Sequence, residues 1–261
     1  SNKIFGSAFK DAASIATITT YAPISEIGTY AFYGCVNLST LNTPNAIYTN
    51  VADYAFYNCQ NILNIEEFIP KTVTTIGNYA FSGTSVGSGS NKLNLEPYTS
   101  IGNYAFSNCL RLESIVVPVS INLGEGVFAD CQYLKTATLY NKKLTRYLFK
   151  NCISLDGIDI TGITEIPDGA FYGCKSLKSQ SGSSGLILDP SLVTIGNHAF
   201  YGCEGLESFV LSNKTTSIGT YAFYGCTGLE YMTIPKEMKV INSNAWDECD
   251  PNFFFYSYLK K

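Results

Sequence analysis

The sequence predicts an α/β solenoid: a curved stack of short coils with a parallel β-sheet on its concave side, and short helical turns and extended pieces elsewhere. Three observations predict it. An aromatic residue recurs at intervals of 21 to 29 residues, an aliphatic residue stands five positions before it, and all nine cysteines stand three positions after one. A unit of about 23 residues cannot bury its apolar face alone, so successive units must stack. The recurring aromatics are Phe9, Phe32, Phe56, Phe81, Phe106, Phe128, Phe149, Phe171, Phe200, Phe223 and Trp246.

A β-strand is the first element expected in each unit. Leu or Ile usually stands six positions after the aromatic, and apolar residues alternate from Leu112 to Val117 before Pro118 ends the segment. Alternation with a period of two is typical of a strand that buries one face. Strands of successive coils should pair in parallel, about 4.8 Å apart.

A second extended piece and a helical turn complete the unit. The extended piece ends in an aliphatic residue that glycine often follows, as in Ile218-Gly219. The Tyr-Ala-aromatic run that comes next predicts a single helical turn. Gly, Asn or Asp stands two positions after nearly every aromatic, as Gly34 and Asn58 do. These residues tolerate a left-handed backbone, so the turn should end there.

The cysteines indicate packing more than chemistry. Nine thiols cannot all pair with one another, and one thiol at the same phase of each coil forms a ladder. Parallel Cα–Cβ vectors suit disulfides poorly, whereas free Cys behaves as a small buried hydrophobe. Two coils carry Ala12 and Thr84 at this position, which are also small. The pattern therefore favours buried thiols over disulfides, and disulfides over a metal site.

Length and charge narrow the class of protein. The repeat runs through the 261 residues without a break, which predicts one domain, 1–261, of about eleven coils, with 250–261 as a C-terminal cap. Net charge is −4 and basic residues are not clustered, so no nucleic-acid partner is expected. No apolar run is long enough to span a membrane. The chain opens inside a repeat and shows no signal peptide, so we expect a fragment or mature form.

Two coils carry Gly/Ser-rich insertions, at 83–91 and 179–185. Each precedes a strand of the predicted sheet. An insertion of this composition is either a tolerated surface bulge or a loop that shapes a binding face.

The best-formed coil, Ile218-Gly-Thr-Tyr-Ala-Phe-Tyr-Gly-Cys226-Thr-Gly-Leu229-Glu-Tyr-Met-Thr-Ile-Pro235, resembles the BspA-type leucine-rich repeat. The resemblance covers essentially the whole chain. It implies a curved leucine-rich-repeat solenoid from a secreted or surface-attached bacterial protein, in some members an adhesin. The Asn of ordinary leucine-rich repeats is missing from the pattern, so their asparagine ladder is not expected.

An active site is not indicated, and neither a catalytic residue, a cofactor nor a metal is predicted. The single histidine, His198, occupies a repeat tyrosine position, so a structural role is expected. The carboxylates Asp247, Glu248 and Asp250 lack the spacing of a calcium loop. Glu66 and Glu67 are interpreted as a solvated edge. We therefore predict a protein that is not an enzyme.

Two surfaces could bind a partner. The first, here called the strand face, consists of the outward positions eight and ten residues after each aromatic. Its members are Thr17, Thr19, Thr40, Asn42, Asn64, Glu66, Ser114, Thr136, Thr138, Asp159, Ser208, Tyr231 and Thr233. The second, the tyrosine stripe, directly follows the aromatics and consists of Tyr33, Tyr57, Tyr172, Tyr201 and Tyr224. Tyrosine suits recognition, but the pattern follows the structural repeat, which favours rings that pack between coils.

Together with the family resemblance, these features favour a non-catalytic, adhesin-like domain that binds a protein or glycan partner. A structural spacer in a larger surface protein is the alternative. A solenoid glycan-processing enzyme would need paired carboxylates about 5 to 10 Å apart, and no such pair stands out.

Overall fold

The computed structural model describes residues 2–87, 89, 92–181, 184–242, 244–252 and 254–257. The chain is a parallel-strand β-solenoid of about ten turns with almost no helix. It divides into two compact units, Ser1–Gln132 and Tyr133–Lys261. No helix in the described residues is long and apolar enough to cross a membrane.

The first unit contains two rows of short strands. The strands that follow Phe9, Phe32 and Phe106 belong to one row, and the pieces that end in the aliphatic residue before each aromatic belong to the other. In chain order the strands are β1 (Asn2–Ile4), β2 (Thr17–Thr19), β3 (Ile24–Ile27), β4 (Thr40–Asn42), β5 (Asn50–Val51), β6 (Thr75–Ile76), β7 (Ser100–Ile101), β8 (Ser114–Val117) and β9 (Asn122–Leu123).

The second unit repeats this arrangement. Its strands are β10 (Thr136–Leu139), β11 (Ile158–Asp159), β12 (Glu165–Ile166), β13 (Leu186–Ile187), β14 (Thr194–Ile195), β15 (Ser208–Val210), β16 (Ser217–Ile218), β17 (Tyr231–Ile234), β18 (Val240–Ile241) and β19 (Phe254–Ser257).

The predicted parallel pairing of successive coils is confirmed. In the first unit β5, β6, β7 and β9 form one sheet, and in the second unit β12, β14, β16 and β18 form another. The register places the aliphatic residues of successive coils opposite one another, for example Val51 against Ile76 and Ile195 against Ile218. The repeat spacing thus sets the register, as expected when one face of every strand is buried.

The predicted helical turns, and with them the α/β assignment, are wrong. Among the described residues the one helical segment is a 3₁₀ turn, η1 (Ile65–Glu67). The Tyr-Ala-Phe segments form overlapping turns instead. In one coil the amides of Ala31 and Cys35 donate to carbonyls three residues back, whereas Phe32 donates to Ala55 of the next coil at 2.8 Å. Every second amide is therefore used between coils, and no helical i→i−4 ladder can form.

The repeat tyrosine also prevents a helix. Tyr30, Tyr54 and Tyr79 have φ of 59°, 57° and 54°, a left-handed conformation that no α-helix contains. The predicted left-handed position two residues after the aromatic is confirmed, with φ of 73° at Gly34 and 58° at Asn58. A positive φ at the third residue is what a type II turn requires, so each coil places one such turn before its aromatic and one after it.

The recurring phenylalanines form the core of each unit. In the first unit the rings of Phe32, Phe56 and Phe81 are fully buried and stack at centroid distances of 5.2 and 5.1 Å. In the second unit Phe171 and Phe200 stack at 5.4 Å. The predicted burial of these residues is confirmed.

Two further regions are the third coil and the C-terminus. Asn64 and Glu66, expected on a strand, lie at the 3₁₀ turn η1, where the Asn64 side chain accepts a hydrogen bond from the Glu66 amide. That local bond competes with strand pairing. Near the C-terminus, β19 pairs with β17. Residues 253 and 258–261 of the predicted cap lie outside the described residues, and the single-domain assignment stays a prediction.

Candidate functional site

The strand face of the first unit is exposed and polar where its strands pair. The register of β2 with β4 places Thr17 beside Thr40 and Thr19 beside Asn42. All four side chains are exposed, while Leu41 between them is buried. Ser114 lies farther along the unit and is half-buried. The alternation therefore gives a two-by-two patch of hydroxyl and amide groups.

The strand face of the second unit is larger. Thr136 and Thr138 are both exposed on β10, and Thr136 forms a parallel bridge with Gly157. Asp159 lies on the neighbouring strand, where its Oδ1 accepts a hydrogen bond from the Thr161 amide at 2.8 Å. Hydrogen bonds from Thr161 hold the pKa of the Asp159 carboxyl below its usual value, so this residue stays anionic.

The far end of this face is formed by β15 and β17. Ser208 lies beside Tyr231, and Val210 lies beside Thr233. The Thr233 hydroxyl accepts a hydrogen bond from the Leu211 amide at 3.1 Å, so it serves the sheet. Val210 is 61% exposed. The face therefore ends in an apolar and aromatic corner.

The tyrosine stripe consists of stacked rings. Tyr33 stacks on Tyr57 at 4.8 Å, and in the other unit Tyr201 stacks between Tyr172 at 4.5 Å and Tyr224 at 4.7 Å. All of these rings are half-buried. Because neighbours occupy the ring faces, the surface presents ring edges and hydroxyl groups.

A second row of tyrosines, which sequence reasoning did not treat as part of this surface, runs beside the stripe. Tyr54 stacks between Tyr30 and Tyr79 at 4.8 Å on each side, and its ring lies 5.8 Å from Tyr57 of the stripe. The signal was present in the sequence as the tyrosine two residues before the aromatic. Its left-handed backbone turns the ring toward the stripe.

A lysine lies beside the tyrosines in each unit. The ammonium of Lys10 lies 5.6 Å from the Tyr30 ring and 5.2 Å from the Tyr33 ring. In the second unit Lys150 lies 5.7 Å from the ring of Tyr172. These are cation–π distances. The positive charges thus contact ring faces that the stack leaves uncovered.

The cysteine ladder is built of hydrogen bonds between coils. The Cys59 thiol lies 3.0 Å from the Phe32 carbonyl oxygen of the preceding coil, and the Cys203 thiol lies 3.1 Å from that of Phe171. Where threonine replaces cysteine, the Thr84 hydroxyl donates instead to the carbonyl of Phe81 in its own coil, at 2.8 Å. Since Ala12 also occupies this position, the shared property of these residues is small volume.

The thiols are structural groups. Eight of the nine are buried, Cys249 is half-buried, and all nine are free. Burial raises the pKa of the thiols of Cys174, Cys203 and Cys226, and raises that of Cys249 to about 11. Burial also opposes ionisation of Cys109, but hydrogen bonds with Cys131 and Thr84 lower the pKa of its thiol. A reactive cysteine would need access to solvent as well as a lowered pKa, and Cys109 is buried.

A ladder of Asn and Asp side chains connects the coils, although no asparagine ladder was expected. Asp53 Oδ1 accepts from the Asn78 amide, and Asn78 Oδ1 accepts from the Asn103 amide, each at 2.7 Å. Asp168 and Asn197 do the same in the second unit. The ladder stands three residues before the aromatic, a position that sequence reasoning passed over because its identity varies.

The described residues that could bind a metal or transfer a proton are scattered. The described residues contain no group of three or more His, Cys, Asp or Glu side chains that could hold a metal ion. His198 lies in the second tyrosine row, 5.4 Å from Tyr221 and 5.9 Å from Tyr201. Its place in that row is a packing position.

The comparisons with known proteins identify the repeat. A family model described as the BspA type Leucine rich repeat region matches six copies, over residues 1–96, 99–187 and 183–255. No curated protein matches the chain significantly.

Solved structures of several bacterial proteins share the fold. A leucine-rich repeat protein from Bacteroides ovatus superposes with a TM-score of 0.64 at 22% identity, over 98% of this chain and 65% of its own. A leucine rich cell surface protein from Faecalibacterium prausnitzii has a TM-score of 0.58 at 21% identity, over 98% and 76%. The pneumococcal vaccine antigen PcpA has a TM-score of 0.63 at 18% identity, over 98% and 74%. The chain thus spans about two thirds of the length of the Bacteroides protein.

Proposed function

The chain belongs to the BspA-type leucine-rich repeat family, and on that premise we propose that it is a non-catalytic binding domain of a bacterial surface or secreted protein. Its partner is a protein or a glycan, held on the strand face. The F. prausnitzii relative is described as a cell surface protein and PcpA as a vaccine antigen, which supports this location.

One observation carries the proposal: several hydroxyl groups on the paired strands of the strand face are exposed to solvent. Thr136 and Thr138 are exposed on one strand, and Thr17, Thr19 and Thr40 form an exposed cluster in the other unit. Each hydroxyl offers a donor and acceptors to a partner. A broad surface of this kind suits many weak contacts, each worth about 0.5–1.5 kcal/mol net.

The tyrosine stripe supports the proposal less strongly. Its rings are stacked on one another and half-buried, so they stabilise the coils first. A glycan that stacks on aromatic faces would find those faces occupied in the middle of the row. Contacts to the stripe would therefore come from hydroxyl groups and ring edges.

The alternative role is that of a rigid spacer, and the continuous stacking favours it. Phenylalanine, tyrosine and cysteine ladders connect successive coils in each unit. Such a structure would hold another domain at a distance without binding anything specific.

A binding screen separates the two roles. The purified chain is tested against a glycan array and a panel of extracellular matrix proteins. Any binding is then measured for the double variant T136R/T138R and for Y201K/Y224K. A strand-face partner should lose most of its affinity with the arginine pair and little with the lysine pair, because only the arginines project into that face.

The control is K143A, an exposed lysine outside both surfaces. Circular dichroism and thermal unfolding establish that each variant keeps its fold. A chain that binds nothing in either panel would favour the spacer. A partner that tolerates both double variants would place the binding site elsewhere.

A further inference from the structure

The second Gly/Ser insertion opens a gap in the sheet of the second unit. The chain first follows the preceding coil, since the Lys178 amide donates to Asp156 at 3.0 Å. Ser181 and Ser184 form an antiparallel bridge, and the chain returns as β13, which pairs with β11 at Ile158 and Asp159. The residues around Ser179 are thereby displaced outward, between β13 and β15.

Of the described residues, Ser179 is the only one that lies between β13 and β15 in the position of a strand. It forms a parallel bridge with Leu186. On its other side the Ser179 hydroxyl oxygen accepts hydrogen bonds from the amides of Glu207 at 2.9 Å and Ser208 at 2.7 Å, and lies 2.7 Å from the Ser208 carbonyl oxygen. In the described residues β13 forms a ladder with β11 and β15 with β17, and the two do not pair with each other.

Beyond Ser179 the two strands border an open slot. A cavity of about 1480 Å³ lies there, with Leu188, Asp189 and Pro190 on one side and Phe209, Val210 and Leu211 on the other. One intervening strand separates its two neighbours by about 9.6 Å, which is two strand spacings. Ser179, which bridges to Leu186 and bonds to Ser208, takes the place of that one strand at the end of the slot.

The backbone edges of the slot point amide groups into it. The Leu186 amide donates to Lys178, and the Ser208 amide donates to Ser179, so both point between the strands. Alternate amides of a strand point to the same side. Two residues farther on, the amides of Leu188 and Val210 must therefore face the slot from opposite sides. Within the described residues the Leu188 amide has no acceptor.

A side chain in the slot is also left uncovered. Leu188 follows the register of Ile160, which is fully buried, and it lies across the gap from Leu211, which is 6% exposed. Leu188 itself is half-exposed. An inward-facing leucine is exposed here because no neighbouring strand covers it.

We propose that this slot binds an extended peptide segment of a partner protein by strand addition, parallel to β13 and β15. The backbone carbonyls of the peptide accept hydrogen bonds from Leu188 and Val210, and one apolar side chain packs on Leu188. Main-chain pairing at a sheet edge is a known mode of peptide recognition. Lys214 and Lys236 are balanced by Asp189 and Glu237 around the cavity, so the peptide needs no net charge.

This inference rests on the proposed function, because it assumes that the chain has a binding partner. Its test uses a phage-displayed library of random linear peptides, selected on the whole chain. The enriched peptide is synthesised and its affinity measured by calorimetry. N-methylation at the central residues of the peptide should weaken binding at least tenfold for either alternate set, because one set faces β13 and the other faces β15. N-methylation at a terminal residue that projects beyond the slot is the control and should leave the affinity unchanged.

Variants of the chain give the second readout. V210P removes the amide that faces the slot and should lower the affinity for the peptide at least tenfold. The matched control V210T keeps this amide and should bind the peptide with unchanged affinity. Hydrogen exchange adds a direct measurement. The amides of Leu188 and Val210 should exchange rapidly in the free chain and become protected when the peptide binds.

Three outcomes would contradict peptide binding in the slot. The first is that no peptide is enriched, and the second is that binding of the peptide is insensitive to both N-methylation and V210P. The third is that both amides are protected in the free chain, which would mean that its own loop fills the gap. A glycan or matrix protein that binds V210P normally but not T136R/T138R would leave the proposed function intact and remove only the slot.

Discussion

At the residue scale, stability depends on a few ladders of identical side chains. Phe106 is fully buried and stacks 5.7 Å from Phe81 and 6.5 Å from Phe128. A ring in such a row contacts neighbours on both faces. Removing one ring therefore damages the contacts of two adjacent coils.

We expect Phe106→Ala to lower the free energy of unfolding by about 3–5 kcal/mol, because it leaves a cavity in the packed row. Urea denaturation followed by circular dichroism measures the change. The exposed Arg111→Ala is the control and should alter stability by less than about 0.5 kcal/mol. A loss from Phe106→Ala as small as the control's would contradict the stacked core.

The thiols should react slowly in the native chain. Eight are buried and hydrogen-bonded or packed inside the coils, so alkylation must await local opening. Labelling with a chromogenic disulfide reagent should give little signal in buffer, led by Cys249, and nine equivalents after unfolding. Rapid labelling of the native chain, or fewer than nine thiols after unfolding without reductant, would refute this.

The same burial predicts a dependence on alkaline pH. The folded pKa of Cys59, Cys203 and Cys226 is raised above the usual thiol value of 9.0. Their contribution to stability is fully present below that value and is lost as pH rises above it, because the unfolded chain releases these protons first. Unfolding free energy should fall steadily from about pH 9 upward. A flat profile would show that these thiols are accessible in the native state.

At the element scale, the turns matter as much as the strands. Most strands of the second row contain two residues, too few to stabilise a sheet alone. The overlapping turns add a third line of inter-coil hydrogen bonds, and the Asn/Asp ladder adds another. Each coil is thus held at several positions around its circumference.

Asn197 tests the ladder. Its Oδ1 accepts from the Thr220 amide at 2.8 Å, and Asn197→Ala would leave that amide without this partner. We expect a loss of about 1–2 kcal/mol in unfolding free energy. Asn197→Asp keeps the acceptor and should lose less. Equal losses for the two variants would mean that the side-chain oxygen does not stabilise the coil.

At the scale of the whole molecule, the proposed strand face is polar and nearly uncharged in both units. Few ion pairs are available to a partner on the strand face, since Asp159 and Glu66 are the charged members among thirteen positions. Recognition should rest on hydrogen bonds spread over several coils.

The affinity of a strand-face partner should therefore change little with salt, because screening acts on charges. Surface plasmon resonance at low and high sodium chloride measures this. A steep loss of affinity at high salt would indicate an electrostatic interface and would direct attention to the lysines beside the tyrosine rows.

The sequence by itself determined the repeat, the buried phenylalanines and thiols, the parallel strands and the left-handed residue after each aromatic. These follow from periodicity and residue type. An apolar residue at the same phase of every coil can only be buried by stacking, and Gly34 or Asn58 tolerates a backbone that most residues do not.

The tertiary structure alone decided the rest. The Tyr-Ala-Phe spacing fits a helical turn locally, yet the carbonyls of the next coil capture every second amide and hold Tyr79 at a positive φ. The insertion before β13 is visible as Gly and Ser, but its length does not say on which side the chain passes. Only the packed coil shows that it displaces Ser179 and opens a slot, because hydrogen bonds between coils are contacts that one coil's sequence does not encode.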